Sequence, residues 1–153
     1  MVTSLTVAPM RSGLHYYLEQ QFNSFHNFPI ETDLDNLNAD VAILGIPFGD
    51  PYSMGEASND QAFAPTHIRR HCGRALRGLD RYDFDIGGTL LDGRDIKVVD
   101  CGDVIGVAKD VAGNHARSEA AVKKILAAGA LPIILGGDHA IPIPVFRAYE
   151  GRG

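Results

Sequence analysis

Leu131-Pro132-Ile133-Ile134-Leu135-Gly136-Gly137-Asp138-His139 decides how this chain is read. Five apolar residues run without a break, two glycines stop them, and an acid and an imidazole follow. That pattern reads as a buried β-strand with a polar tip. In an open α/β sheet, ligands bind outside the carboxyl ends of the strands, so a histidine there is placed for chemistry. Two readings of Gly136, Gly137, Asp138 and His139 stand side by side. In one, the glycines leave room for a ligand, His139 offers a ring nitrogen to a metal, and Asp138 orients such a ring. In the other, the glycines close a turn and His139 caps the next helix.

Around this stretch the chain has 153 residues, a usual size for one domain. Apolar residues make up 45%, enough for a packed core and unlike a disordered composition. The formal net charge is −5 and no long basic run occurs. Nucleic acid and anionic membrane are therefore poor default partners. The longest apolar stretches are too short to span a bilayer. Residues 1–9 lack the charged start and apolar run of a secretory signal. Cys72 and Cys101 lack close metal-type spacing and read as two free buried thiols. These features predict a soluble, cytoplasmic, globular protein.

Working backwards and forwards from residue 131, strands and helices alternate. Residues 1–11 read as a loose arm. Leu14, Tyr17, Leu18, Phe22 and Phe25 have helical spacing and predict a helix within residues 12–26. Val41 to Ile46 is a continuous apolar run, the mark of a strand buried on both faces. A long loop follows over 47–64. A helix is expected from Pro65, with Ile68, Cys72, Ala75 and Leu76 inward and Arg69, Arg70, Arg74 and Arg77 mostly on other faces. Residues 78–95 form an irregular segment, 96–100 a second strand, and 115–128 a helix with Val122, Ile125 and Leu126 as its buried stripe. Glu119 and Lys123 form an i,i+4 pair on it, and Gly129 stops it. A last helix is expected over 141–149. This order predicts an α/β fold with a parallel sheet. Three strands are few for such a sheet, and its two outer strands would carry exposed apolar edges. The chain is thus expected to be incomplete.

Three segments then resemble the ureohydrolase family of arginases and agmatinases. Leu135-Gly136-Gly137-Asp138-His139-Ala140-Ile141-Pro142-Ile143-Pro144-Val145-Phe146-Arg147 resembles its first metal motif. Ile43-Leu44-Gly45-Ile46-Pro47-Phe48, with Ala64-Pro65-Thr66-His67-Ile68-Arg69 after a loop, resembles its first strand, substrate-side loop and helix start. Val98-Val99-Asp100-Cys101-Gly102-Asp103-Val104 resembles its second strand. The resemblance implies a three-layer α/β/α fold with a parallel sheet. Residues 1–153 would be the N-terminal part of one such domain, with 1–39 as arm and helix and 40–153 as the first strands and helices. It implies an agmatinase-like hydrolase of linear amidines. A pair of manganese ions would activate water as hydroxide to attack a guanidinium carbon and release urea. It also implies a homo-oligomer, trimeric or hexameric.

Of the ligands the resemblance implies, only His139 maps onto this chain, with Gly136, Gly137 and Asp138 supporting it. No Asp-x-His-x-Asp occurs, so the residue that would act on substrate is not identified. The alternative is a truncated or split subunit, catalytically incomplete, acting as scaffold or partner of a longer homologue. Asp50, Glu56 and Asp60 of the long loop are candidate contacts for a cationic substrate. Asp33-Leu34-Asp35 and Asp83-Phe84-Asp85 have a ligand-like spacing but lie in loop-like sequence before the histidine motif, where solvated carboxylates are ordinary. His67 and His71 stand four residues apart on one helix with no third ligand in view, so they read as a surface pair. Asp100 and Asp103 read as caps of the turn after the second strand, with a supporting role at a metal as the alternative.

Overall fold

Alternation of side chains along Val41–Ile46 builds the centre of the molecule. The computed structural model describes residues 16–17, 24–49, 60–75 and 81–152. Its strands are β1 (Tyr16–Tyr17), β2 (Val41–Ile46), β3 (Val98–Val104) and β4 (Leu131–Gly136); its helices are α1 (Ala64–Ala75), α2 (Val111–Ala127) and α3 (Pro142–Ala148). The sheet runs β1-β3-β2-β4, with β3 and β4 both parallel to β2 and β1 antiparallel to β3. Ala42, Leu44 and Ile46 of β2 point to one face, where they pack with Ala121, Val122 and Ile125 of α2. Ile43 points to the other and joins Val98, Leu135, Phe25 and Phe28. The incomplete α/β fold with helices on a parallel sheet is therefore the one expected. No helix among the described residues is long and apolar enough to cross a membrane.

Several local expectations are corrected. The helix expected over 12–26 is absent where the structure describes that segment: Tyr16 and Tyr17 pair with Val104 and Asp103, and Phe25–Asn27 is a single 3-10 turn. Competition from the open edge of β3 outweighs the local helical spacing. The same edge takes a bridge from Ile30 to Asp100, with Asp100 N–H donating to Pro29 O and Glu31 N–H to Asp100 O. The outer edge of β3 is thus covered rather than exposed. β4 is not buried throughout: Leu131 is 60% and Ile133 43% exposed, because among the described residues β4 is the last strand of the sheet.

Helix α2 starts four residues earlier than expected, because Asp110 caps it by accepting the Gly113 N–H at 3.0 Å. Its end is as expected, with Gly129 N–H and Ala130 N–H donating back to Leu126 O and Ile125 O. Glu119 and Lys123 pair at 2.6 Å.

Candidate functional site

The site begins with a bulge. Ile43 of β2 lies opposite Asp100, but Gly45, two residues on, lies opposite Asp103. One extra residue therefore sits in β3, and Gly102 absorbs it at φ 73°. In a regular strand, Asp100 and Asp103 would point to opposite faces. The bulge turns both towards α1, where Arg69 meets them. Arg69 Nε and Nη2 donate to the two Asp100 carboxylate oxygens, each at 2.8 Å, and Nη1 donates to Asp103 Oδ1 at 2.5 Å. Phe25 N–H and Gly102 N–H also donate to the Asp100 carboxylate. Arg69 is 3% exposed and Asp100 is fully buried.

This corrects two expectations. Arg69 is not on an outer face of α1: Pro65, Arg69 and the half-buried Cys72 form its inward side, while Ile68 is exposed. Asp100 does accept the Gly102 N–H two residues on, as a turn-closing Asp would, but with Asp103 it also anchors a helix, which the turn-cap reading missed. Burial pulls the Arg69 pKa down, and its bonds to Asp100 with the charges of Asp103 and Asp100 more than restore it, leaving it raised. Beside Asp100, burial first and that carboxylate second push the Cys101 thiol up to about 12. The carboxylate of Asp103 lies directly over Gly45, and a Cβ there would overlap its Oδ1. The absence of a side chain at Gly45 is what leaves room for the Asp103 carboxylate over β2.

At the end of β4, Gly137 is held by an equally close approach. A Cβ on it would overlap the carbonyl oxygen of Phe48 and crowd that of Gln61. The tip of β4 is thereby seated against the segment after β2 and the 3-10 turn Asp60–Phe63 that leads into α1. Gly136 faces Ile141. Asp138 Oδ1 accepts the Ala140 N–H at 2.9 Å, closing the turn into α3. His139 is exposed. No side chain caps α3, whose N-cap residue is Ile141, and the exposed imidazole is not used as a cap. The ring of His115 in α2 lies 5.7 Å from that of Phe48; by sequence it marks only a helix boundary.

The loop after β3 is fixed by α2. Asn114 accepts the Val107 N–H at 2.8 Å and donates to Val107 O at 2.9 Å. Arg117 donates to Ile105 O at 3.0 Å and pairs with Asp110 at 3.1 Å. Between this loop and the start of α1 opens a cleft of about 480 Å³, with Pro47, Phe63, His67, Arg70 and Ile105 on its walls.

The remaining candidates separate cleanly. Asp50 and Glu56 lie outside the described residues, and Asp60 is described only as the first residue of its 3-10 turn. Asp33 accepts the Asp35 N–H at 3.1 Å and Asp83 accepts the Asp85 N–H at 2.8 Å. Each Asp-x-Asp is thus a side chain closing its own turn, and Asp35 also pairs with Lys124 at 2.6 Å. His67 and His71 are exposed and stacked, with centroids 6.4 Å apart. Among the described residues, no three His, Cys, Asp or Glu side chains come together in a way that could hold a metal. These residues do not by themselves form a metal centre.

Comparison with known proteins agrees with this fold. Agmatinase from Photorhabdus laumondii is 32% identical over 127 residues, covering 82% of this chain and 38% of that protein. Formimidoylglutamase from Halalkalibacterium halodurans is 35% identical over 104 residues, covering 66% of this chain and 30% of that protein. Proclavaminate amidino hydrolase from Streptomyces clavuligerus superposes with a TM-score of 0.65 at 24% identity, covering 86% of this chain and 40% of that one. The chain thus spans two fifths or less of the length of these relatives. The arginase family model matches residues 39–153, which include the bulged strand with its arginine anchor and the glycine-seated histidine tip, and the chain belongs to the arginase family.

Proposed function

We propose that this chain forms the first part of a ureohydrolase domain that hydrolyses a linear guanidino compound of the agmatine type. In that domain His139 would be one ligand of a binuclear manganese site. The observation that carries the reading is the mount of His139: an exposed imidazole at the carboxyl end of a parallel strand, seated through Gly137 on the ends of two neighbouring segments. The described residues contribute that one imidazole, the close seat of Gly137 next to it and, at the end of β3, a buried ion-pair anchor. Agmatinase and formimidoylglutamase relatives support hydrolysis of a carbon–nitrogen bond as the reaction class. The protein is further proposed to be cytoplasmic and homo-oligomeric.

A second reading is favoured by one observation: no three-donor group is formed among the described residues. In it, the 153-residue chain is an incomplete subunit, inactive alone. Metal analysis and urea release on the purified chain, supplied with manganese and a panel of guanidino substrates, separate the two. One weakly held ion or none, with no urea, supports the incomplete subunit. Two tightly held ions with turnover make the chain a hydrolase in its own right and overturn the single-ligand count. For a longer product of the same gene, the absence of an Asp-x-His-x-Asp segment would sink the hydrolase reading altogether.

A further inference from the structure

Arg69 fixes how α1 is turned. Pro65 and Arg69 are buried, so the residues two positions beyond each lie roughly 200° around the helix and face solvent. Those residues are His67 and His71, both exposed. Four apart, they stand one above the other on successive turns. Their rings are stacked, 14° from parallel, with centroids 6.4 Å apart. A metal–nitrogen bond of about 2.1 Å, together with the ring's own radius and counted once from each imidazole, spans that separation. Rotation of two exposed side chains is then enough to aim one nitrogen of each at the same point, with no movement of the backbone. The helix holds both rings in place, so the second bond forms at high effective concentration.

We infer that His67 and His71 form a two-imidazole chelate for a late first-row divalent cation: nickel, copper or zinc. Imidazole nitrogen suits these ions, whereas manganese stands lowest in the series and favours carboxylate and carbonyl oxygen. The pair therefore selects against the ion proposed for the tip of β4, where an imidazole stands beside a carboxylate. Among the described residues no third His, Cys, Asp or Glu completes a group that could hold a metal. Two donors make no closed centre; water fills the other positions and the ion exchanges with solvent. What the ion does is clamp one turn of α1. That turn carries Arg69, and through it the anchor on Asp100 and Asp103. A bound ion thus stabilises the fold by linkage. The inference rests on α1 and not on the hydrolase reading, and it stands if that reading fails.

Nickel titrated into the tag-free, isotopically labelled chain tests it, followed by calorimetry and by paramagnetic broadening of the amide signals. Broadening should centre on residues 66–72. His67→Ala and His71→Ala should each weaken nickel binding by about tenfold or more, as loss of a chelate does. Both sites are exposed, so circular dichroism should be unchanged in each. Cys72→Ser and His139→Ala should keep the broadening of residues 66–72. The urea midpoint of the wild type should rise with nickel concentration, and that of the double variant His67→Ala, His71→Ala should not. A wild-type chain that takes up no nickel, a His67→Ala or His71→Ala chain of unchanged affinity, or broadening of α1 lost in Cys72→Ser or His139→Ala would overturn the inference.

Discussion

At the carboxyl end of β3, Asp100 is buried beneath Arg69 and accepts four separate donors. At the carboxyl end of β4, His139 stands exposed beyond two glycines, with its neighbour Asp138 spent on the turn. Both ends belong to one parallel sheet and both carry ionisable residues. The difference lies in what answers them. A charge that is desolvated must be paired within the chain, so the β3 end is architecture. An imidazole left in solvent on a rigid mount costs little to the fold and remains available to a ligand. Substitutions at the first end should therefore read out in stability, and those at the second in binding.

The largest effect is expected at Arg69. Arg69→Ala leaves Asp100 buried without its counter-ion and should lower stability by about 3–5 kcal/mol, measured by urea unfolding. Arg69→Lys should recover only part, because a single ammonium cannot match the planar fork that spans both carboxylates. Next comes the crossing at Gly45. Gly45→Ala inserts a Cβ where the Asp103 carboxylate lies and should cost about 1–3 kcal/mol, with a loss of amide protection at the end of β3.

The Cys101 thiol sets a pH-dependent effect of similar kind. Its folded pKa is raised from 9.0 to about 12, so the unfolded chain ionises first. Its contribution is fully present below pH 9 and is lost as pH rises from 9 towards 12. At pH 10 this amounts to about 1.4 kcal/mol. The unfolding midpoint of the wild type should fall over that range more steeply than that of Cys101→Ala. The smallest stability effect is expected at the other strand end. His139→Ala should stay within about 0.5 kcal/mol of wild type, and a larger loss would show that the imidazole is part of the fold after all.

Much of this architecture was legible because it follows from period and punctuation. Val41–Ile46, α2 with its Glu119–Lys123 pair, and the glycine stop of β4 all declare themselves locally. The histidine tip was legible for the same reason. The arginine anchor was not. Reading α1 by apolar stripe alone turns Arg69 outward, and reading Asp100 and Asp103 by type makes them turn caps. The available signal was two carboxylates within an apolar strand, separated by Cys101 and Gly102, which call for a cation where they are buried. The Tyr16–Tyr17 strand was illegible because its partner is the edge of β3, some ninety residues away in sequence. The outward apolar tip at Phe84 was likewise hidden, since its exposure depends on how residues 81–95 close upon themselves.

On the proposed function, the tip of β4 would be the chain's own contribution to a metal site. Titrating manganese into the isotopically labelled 153-residue chain tests it most directly, because this paramagnetic ion broadens the amide signals nearest to it. Broadening should centre on residues 136–140, at weak affinity, and disappear in His139→Ala with the rest of the spectrum unchanged. Broadening centred on His67 and His71, or on the Asp33 and Asp83 turns, and indifferent to His139→Ala, would contradict it.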